Sequence, residues 1–179
     1  AVTDPWESVP SSFVVGKDDE RPSSFAVVAD GIGGHRAGEV AAELAVNYIN
    51  EGVAASNGRK PQKVLQEAIE IASEAISSHS HTKTEHEGMG STCACAWVIG
   101  TELYTAHVGD SRIYLLRDQE IRQLTKDHTW VVEAMEKGII TPEQARDHPN
   151  MHVIRRYLGS AELPKVDLFP YKVQAFAYG

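Results

Sequence analysis

Apolar and polar positions change period several times along the chain. Residues 1–23 are rich in Pro, Ser and Asp and hold one short apolar piece, Phe13-Val14-Val15, which reads as a loop with one short strand. Phe25-Ala26-Val27-Val28-Ala29 is a compact apolar run, the mark of a buried strand. It runs into Asp30-Gly31-Ile32-Gly33-Gly34-His35, a turn-rich segment. From Ala37 to Asn50 the period becomes helical, with Ala41, Leu44, Ala45, Tyr48 and Ile49 on one face. Gly52 and Asn57-Gly58 punctuate its end. Pro61 suits the first turn of a second helix, whose apolar stripe is Leu65, Ala68, Ile69, Ala72 and Ile76. The polar stretch from Ser77 to Gly90 predicts an exposed loop.

Strand signals then follow one another. Thr92 to Ile99 is apolar on both alternating faces, which predicts a strand covered on two sides, as in a sandwich core. Glu102 to Val108 is the next, and Arg112 to Arg117 turns through Asp118-Gln119 into Ile121 to Leu124 as a hairpin. Thr129 to Lys137 reads as a short helix stopped by Gly138. Thr141 and Pro142 supply the N-cap and first position of another. Lys165 to Ala177 reads as a final strand. Two helices followed by strands in a row do not make the alternation of a parallel doubly wound sheet. The order predicts helices packed outside antiparallel sheets. There is no internal repeat and no low-complexity tract.

Composition narrows the function classes. The 179 residues are enough for one domain with a core. A formal net charge of -8 argues against a nucleic-acid surface, while clustered carboxylates suit a divalent cation. No apolar run approaches the ~20 residues of a membrane span, and no leader pattern opens the chain. We therefore expect a cytoplasmic monomer that touches neither membrane nor nucleic acid. Cys93 and Cys95 share a face of an apolar strand, where a disulfide between near neighbours has poor geometry, so they read as buried free thiols. The chain opens at Ala1 rather than Met, which fits a piece of a longer protein.

Two carboxylates are candidates for chemistry. Asp30 follows a buried strand and precedes glycines, so its carboxylate is held rigidly while Gly31 lets the backbone approach a ligand and offers its carbonyl. That oxygen pair suits Mg²⁺ or Mn²⁺. The same residues also make an ordinary strand-ending turn. A dinucleotide-binding turn is disfavoured because Gly31, Gly33, Gly34 and Gly38 miss the G-x-G-x-x-G spacing, and the Gly-Lys-Ser/Thr of a phosphate-binding loop is missing. In His107-Val108-Gly109-Asp110-Ser111-Arg112, Asp110 is either a further metal ligand or the cap of a tight corner neutralised by Arg112. His79, His81 and His86 lie loosely in a polar segment with no supporting zinc ligands. His128 and His148 read as packing or capping groups, and His35 as either a helix-start group or a donor to the Asp30 region. Trp97, Trp130 and Tyr157 read as packing.

Taken together the segments are specific. Val28-Ala29-Asp30-Gly31-Ile32-Gly33-Gly34-His35 resembles the V-A-D-G-M-G-G-H segment of bacterial metal-dependent protein serine/threonine phosphatases of the PPM family. Gly90-Ser91-Thr92 resembles their G-S-T, His107 to Arg112 their G-D-S-R turn, and Leu124 to Thr129 their L-T-x-D-H-S/T. Gly138-Ile139-Ile140-Thr141, His148-Pro149 and Arg155-Arg156-Tyr157-Leu158-Gly159 follow in the family's order, where a flap subdomain sits.

The resemblance implies an α+β fold, an α-β-β-α sandwich of two antiparallel sheets flanked by helices, with a flap at about residues 127–160 of a single phosphatase-like domain spanning 1–179. It implies two Mg²⁺ or Mn²⁺ ions in the complete domain, bridged by Asp30 with the Gly31 carbonyl on one of them, and Asp110 at a weaker third-metal position. Water activated by the ions would attack the phosphorus of phosphoserine or phosphothreonine, with phosphoproteins, and a serine/threonine kinase or its targets, as partners.

The family also carries an N-terminal arginine, an Asn-Glu-Asp-type segment, and later S-D-G and G-x-x-D-N motifs, none of which is seen in this chain; Asp4, Asp18 and Asp19 are poor substitutes. Ile32 stands where some members have a histidine and bacterial members often have Met. The expectation is an incomplete domain with an unpaired sheet edge, whose parent protein is a phosphatase while this chain binds metal weakly and turns over poorly. The alternative is a phosphatase-like binding or regulatory domain without turnover.

Overall fold

The computed structural model describes residues 13–14, 23–56, 60–82 and 86–172. Its elements are β1 (Phe13–Val14), β2 (Ser23–Val28), β3 (Gly31–Ile32), α1 (His35–Ala55), α2 (Pro61–Ser80), β4 (Gly90–Ser91), β5 (Cys93–Ile99), β6 (Glu102–Val108), β7 (Tyr114–Arg117), β8 (Glu120–Gln123), α3 (Trp130–Glu136), α4 (Pro142–Arg146) and β9 (Asp167–Lys172). Five strands form one antiparallel sheet in the order β1-β2-β5-β6-β9, and β3-β4 and β7-β8 form two-stranded ribbons. This is the α+β arrangement of antiparallel sheets and packed helices that the element order predicts.

Alternation in β2 turns Ser23, Phe25 and Val27 inward. With Cys93, Cys95, Trp97 and Ile99 of β5, and Ala106 and Val108 of β6, they meet the buried stripes of α1 and α2 in one core. Phe25 packs edge-on against Trp97 at 6.2 Å, and the Trp97 indole donates to Ser23 Oγ at 2.9 Å, which satisfies its one polar atom in the core. Both cysteines are free and buried. The Cys95 thiol is pushed well up by its hydrogen bond with Cys93 and by burial. Across the sheet, coverage is lighter: Val28 is 53% exposed.

The second helix is as the pattern predicts, with Leu65, Ala68, Ile69, Ala72 and Ile76 buried and Pro61 at its start. The first differs. It runs on to Ala55 through Gly52, because the missing side chain there admits Ala68; a Cβ on Gly52 would lie 2.7 Å from the Ala68 Cβ. Tyr48 is exposed, and Ala41, Ala45, Ile49 and Val53 form the buried stripe. The expected exposed loop from Ser77 is also corrected. The helix continues to Ser80, and His86 and Met89 are buried, with His86 stacked on His79 at 5.0 Å.

The hairpin turns through Asp118 and Gln119, both at positive φ (50° and 66°), as a tight two-residue turn between antiparallel strands requires. Thr141 caps α4 reciprocally with Gln144. The final strand is described as far as Lys172; the rest of the expected run to Ala177 lies outside the described residues.

Candidate metal centre

Register brings the two acidic turns to the same end of the sheet. Val28 at the end of β2 pairs with Ala94, and Val108 at the end of β6 pairs with Cys93. Asp30 and Asp110 thus leave their strands on either side of Thr92, the residue that enters β5.

The main chain of Asp30 is fixed at both groups. Its N–H donates to Thr92 Oγ1 at 3.1 Å, and its carbonyl accepts from the Thr92 N–H at 2.9 Å and Ser91 Oγ at 3.1 Å. Gly31 follows in β3, paired with Ser91. Its backbone lies so close to the start of α1 that a Cβ there would sit 1.9 Å from the Gly38 carbonyl oxygen. The glycine is therefore required by close approach.

On the other turn, Gly109 has φ +106° and packs on Thr92, while Ser111 Oγ lies 2.7 Å from Thr92 Oγ1. Among the described residues neither the Asp30 nor the Asp110 carboxylate makes an ion pair or hydrogen bond. Arg112 does not neutralise Asp110, as the corner reading expected. It forks onto Asp127, with Nε 2.9 Å from Oδ1 and Nη2 2.6 Å from Oδ2. Those hydrogen bonds hold the guanidinium pKa above its ordinary value. Two hard-oxygen carboxylates without a protein cation, the first on a main chain fixed at both its groups, fit part of a divalent-ion shell. The side chain of His35 and residues Asp4, Asp18 and Asp19 lie outside the described residues.

A second cluster at this end was missed in the sequence. His107 of β6 faces Asp167 of β9 across the register, and His128 packs on His107 with ring centroids 4.3 Å apart. The ligand-capable atoms of these three residues lie within 4.8 Å of one another. They nevertheless do not fit a metal. The Gly109 N–H donates to His128 Nδ1 at 3.1 Å, so the neutral ring carries its hydrogen on Nε2, aimed at Asp167 Oδ2 at 3.2 Å. An ion on Nε2 would force a hydrogen onto Nδ1, against the Gly109 N–H. Arg156 also puts its Nη1 3.1 Å from Asp167 Oδ1 and 3.2 Å from His128 Nε2, a positive charge where the ion would sit.

The cluster instead clasps Gly109. The Gly109 carbonyl accepts from the His128 N–H at 2.8 Å and lies 3.0 Å from His107 Nε2. His107 Nδ1 is left buried without a partner among the described residues. Burial pushes the pKa of His128 down to about 4, against the pull of Asp167, and lowers that of His107. For Asp167, burial acts upward, but the His128 hydrogen bond and the Arg156 charge outweigh it and hold the carboxyl below its ordinary range. The one signal in the sequence was a histidine in an apolar strand; its partners come from 21 and 60 residues further on (128 − 107 and 167 − 107).

His148 stacks on Trp130 at 4.4 Å, the packing role expected of both. An open cavity of about 480 Å³ lies beside Asp110, walled by Val131, Met135, Pro142, Ala145 and Met151, with Arg112 and Arg146 at its edge.

Fold and site define an α+β domain that presents acidic turns at one end of an antiparallel sheet. The chain belongs to the protein phosphatase 2C family, whose sequence profile matches residues 8–134. It is 37% identical over 155 residues to the serine/threonine phosphatase stp of Listeria monocytogenes, covering 84% of this chain and 61% of that protein. It is 39% identical over 136 residues to the serine/threonine protein phosphatase PstP of Mycobacterium tuberculosis, covering 76% and 26%. The chain thus spans less than two thirds of the length of these curated relatives. Its fold matches the crystal structure of Mycobacterium tuberculosis PstP/Ppp with a TM-score of 0.78 at 34% identity, covering 92% of this chain and 67% of that one. It also matches the catalytic domain of PstP in complex with two manganese ions, with a TM-score of 0.73 at 33% identity, covering 92% and 71%. No helix among the described residues is long and apolar enough to cross a membrane.

Proposed function

We propose that this chain is the part of a metal-dependent protein phosphatase that carries Asp30, Gly31 and Asp110, and that the protein removes phosphate from phosphoserine and phosphothreonine in proteins. The observation that carries this reading is the pair of unpaired carboxylates at one end of the sheet, mounted on turns that meet at Thr92. The Asp30 carboxylate and the Gly31 carbonyl would hold two Mg²⁺ or Mn²⁺ ions between them, with Asp110 on a third and weaker one. When bound, such ions acidify water and offset the charge of the transferring phosphoryl group. Asp30 would supply negative charge to the ions, and the three hydrogen bonds on its N–H and carbonyl hold the main chain that carries it. Asp110 is held by a turn whose glycine is clasped from residue 128.

Residues 127–160 form the flap in this reading, and the cavity beside Asp110 receives the substrate chain. The protein acts in the cytoplasm as a monomer, on phosphoproteins made by a serine/threonine kinase. The test is hydrolysis of p-nitrophenyl phosphate by the purified chain with and without Mn²⁺, beside Asp30→Asn. Weak Mn²⁺-dependent turnover that Asp30→Asn abolishes is the expected result, because the chain spans only part of its relatives' length. A folded chain that turns nothing over is either an incomplete phosphatase or a phosphatase-like binding domain, and adding back the family's end segments decides: turnover restored upholds the phosphatase, turnover still missing leaves the binding domain.

A further inference from the structure

We propose that Thr92 is the positioning residue that couples the Asp30 and Asp110 turns, so that a change in one is transmitted to the other through a single buried side chain. The inference rests on the metal reading of those two residues and names the part that sets their relation. Thr92 is fully buried. Its hydroxyl accepts from the Asp30 N–H at 3.1 Å and shares a 2.7 Å hydrogen bond with Ser111 Oγ, the residue after Asp110. Its methyl group faces the other turn from below: a Cβ built on Gly109 would stand 2.6 Å from Thr92 Cγ2.

The side chain is thus divided by function. With one lone pair given to Asp30, the hydroxyl still has a hydrogen and a second lone pair for Ser111. The methyl fixes how closely the Gly109 backbone can approach. Asp30 and Ser111 are 81 residues apart in sequence (111 − 30), and Thr92 Oγ1 bonds to both. Serine at this position keeps the hydroxyl and loses the methyl. Valine keeps the shape and loses the hydroxyl. Ser111→Ala removes only the second hydrogen bond and sits at a half-buried position, where the fold tolerates it more readily.

The experiment has two readouts on the purified chain. Backbone hydrogen exchange without metal reports the coupling. Mn²⁺ binding, followed by the electron paramagnetic resonance of free Mn²⁺, reports its consequence. Thr92→Val is expected to speed exchange at Asp30 and across Gly109–Ser111 together, and to weaken Mn²⁺ binding by about tenfold, the scale of one or two lost hydrogen bonds. Thr92→Ser is expected to keep Asp30 protected and to hold Mn²⁺ affinity within about threefold of the unaltered chain. Ser111→Ala is expected to loosen the Asp110 turn alone and still weaken Mn²⁺ binding.

A Thr92→Val chain that melts earlier but binds Mn²⁺ as the unaltered chain does overturns the proposal, because Thr92 is then a packing residue only. Failure of the unaltered chain itself to bind Mn²⁺, beside Asp30→Asn, sinks the metal reading instead. Thr92 is then judged on exchange alone: concerted loss at both turns upholds the coupling, and loss confined to Asp30 overturns it.

Discussion

Gly109 and His128 hold each other through both main-chain groups of the glycine: its N–H donates to His128 Nδ1 at 3.1 Å, and its carbonyl accepts from the His128 N–H at 2.8 Å. The first bond exists only while Nδ1 keeps its lone pair, that is, while His128 is neutral. Burial enforces that state by pushing the pKa down to about 4.

Stability should therefore depend on pH in a definite direction. An unfolded histidine titrates near 6.5, so between pH 6.5 and 4 the unfolded chain binds a proton that folded His128 refuses. The stabilisation is complete above 6.5 and is lost as pH falls toward 4. His107, also lowered, adds loss in the same direction. Asp167, held below the usual carboxylate range, adds loss at lower pH still. Thermal unfolding across this range should show the melting temperature falling with acid. His128→Asn offers Gly109 an acceptor that does not titrate and should flatten most of the slope. An unchanged slope in that variant would remove His128 as its cause.

Arg156 and Asp167 give a second prediction. Arg156→Ala leaves the partly buried Asp167 carboxylate with His128 alone, and should cost about 1–3 kcal/mol in denaturant unfolding. Arg156→Lys keeps the charge but puts a more strongly hydrated ammonium in place of the one nitrogen, Nη1, that reaches Asp167, and should recover only part of the loss. Equal stability of all three chains would show that the ion pair contributes nothing.

What could be read from the sequence was local. The α2 stripe, the Pro61 start, the Asp118-Gln119 hairpin and the Thr141 cap each depend on residues within a few positions of one another, where period and turn chemistry decide. The end of α1 was misread because Gly52 was weighed as punctuation, whereas its use is to let Ala68 approach. The partner of Arg112 was misassigned because Asp110 is two residues away and Asp127 is fifteen, and only the fold brings the latter round. Asp30 and Asp110 could be picked out as candidates because each follows a strand and abuts a glycine. That Thr92 joins them could not, since the bond crosses three elements.

Gly31 is the third test. Its conformation is not the constraint; space is. A methyl group placed 1.9 Å from the Gly38 carbonyl oxygen must push β3 and α1 apart. Gly31→Ala should cost about 1–3 kcal/mol and weaken Mn²⁺ binding along with it. Gly38→Ala puts its methyl 3.1 Å from the Gly31 oxygen, a tight contact that a small shift relieves, and should cost less. The order of the two melting temperatures checks the argument, and Gly38→Ala falling below Gly31→Ala would refute it.

The cavity beside Asp110 gives the last prediction, and it separates chemistry from recognition. Val131, Met135, Pro142, Ala145 and Met151 wall it with apolar surface, while Arg146 stands exposed at its edge. In the proposed reading a small aryl phosphate makes no use of this wall, whereas a phosphopeptide must also place the residues flanking its phosphorylated side chain. Removing one well-filled apolar contact is worth about 1–3 kcal/mol, or roughly tenfold or more in kcat/KM. Met151→Ala should therefore raise KM for a phosphopeptide carrying an aliphatic residue beside the phosphorylated one by about tenfold, and leave p-nitrophenyl phosphate hydrolysis unchanged. Arg146→Ala should do the same for a peptide with a neighbouring acidic residue, and its effect should shrink as salt screens the charge. Met151 is 39% exposed, so its truncation leaves the core intact and the fold should persist. Equal losses on the peptide and on the aryl phosphate would place these residues in the support of the acidic turns rather than in a peptide-binding wall.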